Sequence, residues 1–206
     1  MSPRAYRLGA RRAITEQTRQ RIIDAARDLL GDPQSGASFT VEAVARSANV
    51  ARMTVYYQFG SKPGLLEALY DDLAARGLVQ TLPAVFAAPD TRTAIQSLIR
   101  VFFGFWDSDR LVMRRARALA ALDVELEQGI RERDERRRQI CRLVLTRSAG
   151  QPAFAPDRAF DDAVALLFTL SSFETFDALA SSGRDFDDIV AMVQRLALHV
   201  AGFRDA

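Results

Sequence analysis

One cysteine, one histidine and one tryptophan are all that this 206-residue chain carries of three residue types on which much site chemistry depends. A single cysteine, Cys141, excludes an internal disulfide, and amid leucine and valine it reads as a core filler. The single histidine, His199, is far from Cys141 in sequence and reads as a packed or interface residue, so no nucleophile is laid out with its base. H-E-x-x-H, paired C-x-x-C, a glycine-rich phosphate loop and a dinucleotide fingerprint are all missing. Carboxylates are plentiful, but Asp123, Glu125 and Glu127, or Asp161 and Asp162, fall on helices where capping and solvation account for them. The reading is of a protein that is not an enzyme, with no catalytic residues, metal or cofactor. No apolar run approaches the roughly 20 residues of a membrane span, and the arginine-rich start lacks the apolar core of a signal peptide. A cytoplasmic protein with no membrane partner is therefore expected. Internal repeats and low-complexity segments are absent too.

Hydrophobic residues make up 49% of the chain and charged residues 26%, an ordinary composition for a soluble globular protein. The net charge of +2 conceals an asymmetry. Residues 1 to 62 hold ten basic side chains against five acidic ones, a surplus of five, whereas the remainder holds 18 basic against 21 acidic. The first third thus suits a polyanion and the rest does not. Lysine is nearly absent, Lys62 being the one basic residue that is not arginine.

That basic third contains the most structured stretch of the sequence, Thr40 to Leu66. Thr40 is placed to cap a helix whose inner face is Val41, Val44, Ala45 and Ala48. Asn49 stands where the chain must reverse, and asparagine tolerates a left-handed backbone. A second helix from Ala51 to Phe59 is seated by Val55 and Phe59, which leaves Arg52, Met53, Thr54, Tyr56, Tyr57 and Gln58 facing outward. Arginine and glutamine bond base edges, while the hydroxyls of threonine and tyrosine reach phosphate oxygens. Gly60 ends the helix, Ser61 caps the next and Pro63 occupies a tolerant first-turn position. Lys62 falls beside that helix's positive end, a place for one phosphate.

The run Thr40…Val44-Ala45…Ala48-Asn49-Val50…Thr54-Val55-Tyr56…Phe59-Gly60-Ser61-Lys62…Leu65-Leu66 resembles the DNA-binding domain of the TetR family of bacterial transcriptional regulators. Tyr56, Phe59, Lys62 and Leu65 are its most specific part. The chain departs from the family's common pattern at Asn49, Ala51 and Met53. The resemblance implies DNA contacts by Thr40, Arg52, Met53, Thr54, Tyr56, Tyr57, Gln58 and Lys62, and a C-terminal domain that binds an inducer and dimerises through its last two helices.

Outside this stretch, residues 1–14 read as a flexible basic arm carrying Arg4, Arg7, Arg11 and Arg12, with the first helix running from Thr15 to Gly31. A fourth helix from Lys62 to about Gly77 has no glycine- or proline-rich linker before it. Pro83, Pro89 and Asp90 mark a loop. Further helices follow over 91–106, 110–122, 123–148, 157–181 and 185–203, with Gly150 to Pro156 as a separator. Within 123–148 the inward set is Leu126, Ile130, Ile140, Leu143 and Val144, and the alternating charges of 131–138 read as a solvated face. The last two helices expose more apolar surface than one core covers, which points to a twofold partner. Phe102, Phe103, Trp106, Met113, Phe168 and Phe173 supply aromatic and sulfur surface for a ligand cavity, with Glu174 and Asp177 as its polar groups.

The expectation is an all-α protein of about nine helices. Residues 1–14 form the arm, 15–61 a three-helix helix-turn-helix DNA-binding domain, and 62–206 a larger helical ligand-binding and dimerisation domain. The function it implies is a ligand-responsive transcriptional regulator, a repressor that binds a palindromic operator on double-stranded DNA as a homodimer and answers to a hydrophobic small-molecule effector. The alternative is a helical ligand-binding or protein-interaction module that does not read DNA.

Overall fold

The computed structural model describes residues 3–34, 39–146 and 158–203, the side chains of 3–12 and 158 excepted. Among the described residues the regular structure is all helical, as expected, but in eleven helices rather than about nine: α1 (Pro3–Gly31), α2 (Val41–Ser47), α3 (Arg52–Phe59), α4 (Lys62–Gly77), α5 (Leu82–Ala87), α6 (Thr91–Ser108), α7 (Arg110–Ala120), α8 (Val124–Thr146), α9 (Arg158–Leu170), α10 (Phe173–Ala180) and α11 (Phe186–Val200). The two additional elements have local causes. Pro83, read as part of a loop, lies in the first turn of α5, where its missing N–H interrupts nothing. The stretch read as one helix from 157 to 181 is broken into α9 and α10, with a bend of 48° between them. Ser172 makes the break, its Oγ accepting from Thr175 N at 3.1 Å to start a new helix.

Two further expectations change. Residues 3–14, read as an arm, continue α1 back to Pro3; arginine, alanine and leucine are strong helix formers, and proline is at home in a first turn. Leu143, assigned to the inner face of α8, is exposed. The side chains of Arg4, Arg7, Arg11 and Arg12 and the separator Gly150 to Pro156 lie outside the described residues.

The chain divides into two compact units. The first comprises the residues up to Leu73 together with Arg114–Glu127. Its core is Ile22, Ile23, Ala26 and Leu30 of α1, Val41, Val44 and Ala45 of α2, Val55 of α3, and Leu65, Leu66 and Leu69 of α4, closed by Phe39. Gln20 joins α1 to α4, its Nε2 donating to Asp72 Oδ1 at 3.2 Å. Arg115 Nη1 donates to the carbonyls of Leu30 (3.0 Å) and Asp32 (2.8 Å), satisfying acceptors that the end of α1 leaves open.

The second unit holds Ala74–Met113 and the residues from Gln128 onward. Asp90 caps α6, accepting from Thr93 N at 2.8 Å and from Thr93 Oγ1 at 3.0 Å. These bonds favour the ionised form, so its carboxyl lies below the ordinary value. Ile95, Leu98, Ile99 and Phe103 of α6 are buried with Ile189, Val190, Val193 and Ala197 of α11. Gly77 makes room where α4 ends, because a Cβ there would stand 2.8 Å from the Phe105 ring and the ring would have to move. The α9–α10 break is held by buried polar groups. Trp106 Nε1 donates to Ser171 O at 3.0 Å, and Arg137 Nη1 donates to Phe168 O and, at 3.0 Å, to Ser171 Oγ. Cys141 is fully buried beside Ser171, and burial pushes its thiol up to about 11.

Candidate nucleic-acid interface

The first unit builds a helix, a turn and a second helix from local chemistry. Thr40 Oγ1 accepts from Ala43 N at 3.1 Å and starts α2. Asn49 takes φ 52°, and Val50 N returns to Ala45 O at 2.9 Å, so the reversal falls where asparagine was expected to make it. Val55, fully packed, anchors α3. Gly60 closes the helix with φ 73° and donates to Tyr56 O at 2.8 Å. Ser61 Oγ then accepts from Gly64 N at 3.0 Å as α4 begins. Gly64 leaves the chain little room, since a Cβ there would stand 2.1 Å from the Phe59 carbonyl oxygen and the backbone would have to shift.

On that frame the side chains read as DNA contacts lie along α3, with Thr40 at the start of α2 and Lys62 at the start of α4. Tyr57 is 86% exposed and Met53 72% exposed, and Arg52 and Thr40 are exposed as well. Thr54, Tyr56, Gln58 and Lys62 are half-buried. Lys62 Nζ lies 5.5 Å from the centroid of the Phe39 ring, and Arg19 of α1 stacks over Phe59 at 4.7 Å. Large apolar and aromatic side chains left in water on a short helix are costly unless something covers them.

Arg52 is tied down in a way the sequence did not suggest. Its Nη1 is 2.8 Å from Glu42 Oε1, its Nη2 donates to Tyr56 Oη at 3.1 Å, and its guanidinium carbon lies 5.3 Å from the Tyr56 ring centroid. The bond to the Tyr56 hydroxyl, and then the Glu42 charge, raise Arg52 further above its ordinary value. Glu42 and Arg52 are ten residues apart on different helices, so no periodicity could have paired them. Gly64 likewise gives no signal in sequence beyond being a glycine.

The residues read as a ligand site all belong to the second unit. Phe102, Phe103, Trp106, Met113 and Phe173 are buried. The rings pack on one another, Trp106 lying 6.2 Å from Phe102, 5.8 Å from Phe173 and 4.8 Å from Phe105 between centroids. Phe168 is half-buried, with the guanidinium carbons of Arg137 and Arg138 at 3.9 and 4.0 Å from its ring centroid. Asp177 is engaged by Arg110, whose Nε is 2.7 Å from its Oδ1. Glu174 is exposed on the surface of α10. Arg137 was hidden in the alternating charges of 131–138, yet it is 4% exposed, so that face is not wholly solvated.

Residues 22–69 match the family model described as "Bacterial regulatory proteins, tetR family". They form a TetR-family amino-terminal domain. The sequence is 34% identical over 85 residues to the HTH-type transcriptional regulator BetI of Rhizobium meliloti, which covers 41% of each chain. It is 31% identical over 109 residues to the HTH-type transcriptional regulator EthR of Mycobacterium tuberculosis, covering 52% of this chain and 50% of that one. The chain thus spans about half the length, or less, of these relatives. Among solved structures it is similar to the transcriptional regulator FadR from Bacillus subtilis in complex with stearoyl-CoA. The TM-score is 0.70 at 20% identity, over 90% of this chain and 99% of that one. It is also similar to a transcriptional regulator from Saccharomonospora viridis in complex with choline, with TM-score 0.68 at 15% identity, over 89% of this chain and 97% of that one. Both likenesses are of fold, and they run past the amino-terminal domain over about nine-tenths of the chain.

Proposed function

We propose that this protein is a ligand-responsive transcriptional regulator, a repressor that binds a palindromic operator as a homodimer. The observation that carries the reading is the outer face of α3. Its Met53, Tyr57 and Arg52 stand in solvent on a TetR-family helix-turn-helix, within a segment that holds a surplus of five positive charges. Arg52 and Gln58 are the base readers, with Thr40, Met53, Thr54, Tyr56, Tyr57 and Lys62 holding the backbone or packing against it. Support for regulation comes from the relatives, since BetI and EthR are described as transcriptional regulators.

The partner helices are α9 to α11, roughly residues 157–203. Leu166 on α9 and Leu196 on α11 are each about half exposed in the single chain, apolar surface that a second copy would cover. An effector would bind in the second unit, near Phe102, Phe103, Trp106, Met113, Phe168 and Phe173, with Glu174 and Asp177 at its margin. The stearoyl-CoA and choline found in similar structures suggest amphipathic or cationic compounds as the first to test. Its binding would favour one tilt of α4, the helix that follows the recognition helix after a two-residue turn, over another.

Selection of bound sequences from a random duplex library with the purified chain tests the reading. The expected product is a motif of two inverted half-sites with centres about one helical turn apart. Recovery of duplexes with no common motif at moderate salt would contradict it.

A further inference from the structure

Glu42 is an acidic side chain on a surface that otherwise suits a polyanion. It lies in the first turn of α2, about half exposed, and its carboxylate holds Arg52 Nη1 at 2.8 Å while Tyr56 Oη holds Nη2 at 3.1 Å. An exposed ion pair of this kind adds little to stability, so holding the fold together is a weak reason for it. Its geometric effect is larger. A guanidinium is a rigid fork, and fixing both of its terminal nitrogens fixes its plane and the direction it presents. An unpaired arginine on this face would take any nearby phosphate. Paired with Glu42, it brings a negative charge toward every DNA backbone it approaches, and gains only where base acceptors compensate.

We propose that Glu42 is a positioning residue that aims Arg52 at a base edge and suppresses its use as a general phosphate contact. This rests on the reading of α3 as a DNA-recognition helix. It adds to that reading a residue that sets specificity without touching DNA.

The test compares Glu42→Gln, Glu42→Asp, Arg52→Ala and the double variant Glu42→Gln/Arg52→Ala in the full chain, titrated with the duplex selected by the unmodified protein and with a shuffled duplex across a range of salt. For Glu42→Gln, affinity for shuffled DNA should rise severalfold, and the slope of log affinity against log salt should steepen by about one unit, because a released guanidinium becomes one more phosphate contact. Discrimination at the base pair that Arg52→Ala relaxes should fall about fivefold or more. In the Arg52→Ala background, Glu42→Gln should alter discrimination no further. Glu42→Asp keeps a charge at the helix start but is one methylene shorter, so it should lose discrimination while melting as the unmodified protein does.

A lower melting temperature for Glu42→Gln with slope and discrimination unchanged would mean that Glu42 serves only the positive end of α2, and would overturn the proposal. An equal loss of discrimination on Glu42→Gln in the presence and absence of Arg52 would overturn it as well. If the unmodified chain selects no sequence, the DNA-reading function itself fails and the proposal fails with it. A selective chain with an indifferent Glu42 overturns this proposal alone.

Discussion

Gly64 carries a constraint out of proportion to its size. Its Cα lies so close to the end of α3 that an added methyl group would meet the Phe59 carbonyl oxygen at 2.1 Å, and that oxygen is backbone and cannot rotate away. Gly64→Ala should therefore shift the α3–α4 junction and destabilise the first unit by about 1–3 kcal/mol, read by chemical denaturation. Stability within a few tenths of the unmodified protein would show that the junction yields cheaply. Lys62, two positions earlier, is the residue to test by electrostatics. Lys62→Ala should weaken binding to all duplexes alike and reduce the salt slope by about 0.9 unit, the share of one phosphate. An unchanged slope would leave Lys62 as a partner of Phe39 only. At this scale the local roles were legible in the sequence. Thr40, Asn49, Gly60 and Ser61 each act within a few residues of themselves, through a cap or a left-handed backbone. Gly64, Glu42 and Arg137 act across helices, and a linear pattern carries no distance between helices.

The helices themselves were readable where one apolar stripe runs from a clear start to a clear stop. Asp90 opens α6, and the stripe Ile95, Leu98, Ile99, Phe102, Phe103 and Trp106 is buried as expected. The same logic failed at 157–181, because the apolar repeat continues through Ser171 and Ser172 although the backbone does not. Beyond the local cap by Ser172, what supports the break is tertiary. Trp106 and Arg137 supply donors to the carbonyls that the interruption exposes, and no propensity scale contains them. Trp106→Phe, which keeps a ring but removes the indole N–H, should destabilise the second unit by about 1–3 kcal/mol through the lost donor to Ser171 O. Unfolding followed by a probe in that unit checks this, and a loss well under 1 kcal/mol would mean that the bend is set by Ser172 alone. The first helix illustrates the opposite error. A segment without apolar periodicity reads as an arm, yet α1 extends through it to Pro3, because helix formation there needs good formers rather than a buried stripe.

For the molecule as a whole, the proposed function requires both a recognition face and a surface that pairs with a second copy. Leu166 and Leu196 are large apolar side chains of α9 and α11 that a single chain leaves about half exposed. The double variant Leu166→Glu/Leu196→Glu should sediment as a monomer at concentrations where the unmodified chain is a dimer, and should lose affinity for a two-half-site duplex far more than for a single half-site. A variant that stays dimeric would place the interface elsewhere. The most direct measurement of the central claim is the ratio of affinities of the full chain for its selected duplex and for a shuffled one of equal length, at about 150 mM salt. A sequence-reading regulator should give a ratio of at least about 10³, with the preference reduced at one base pair by Arg52→Ala. A ratio near one, unaffected by Arg52→Ala, would contradict it.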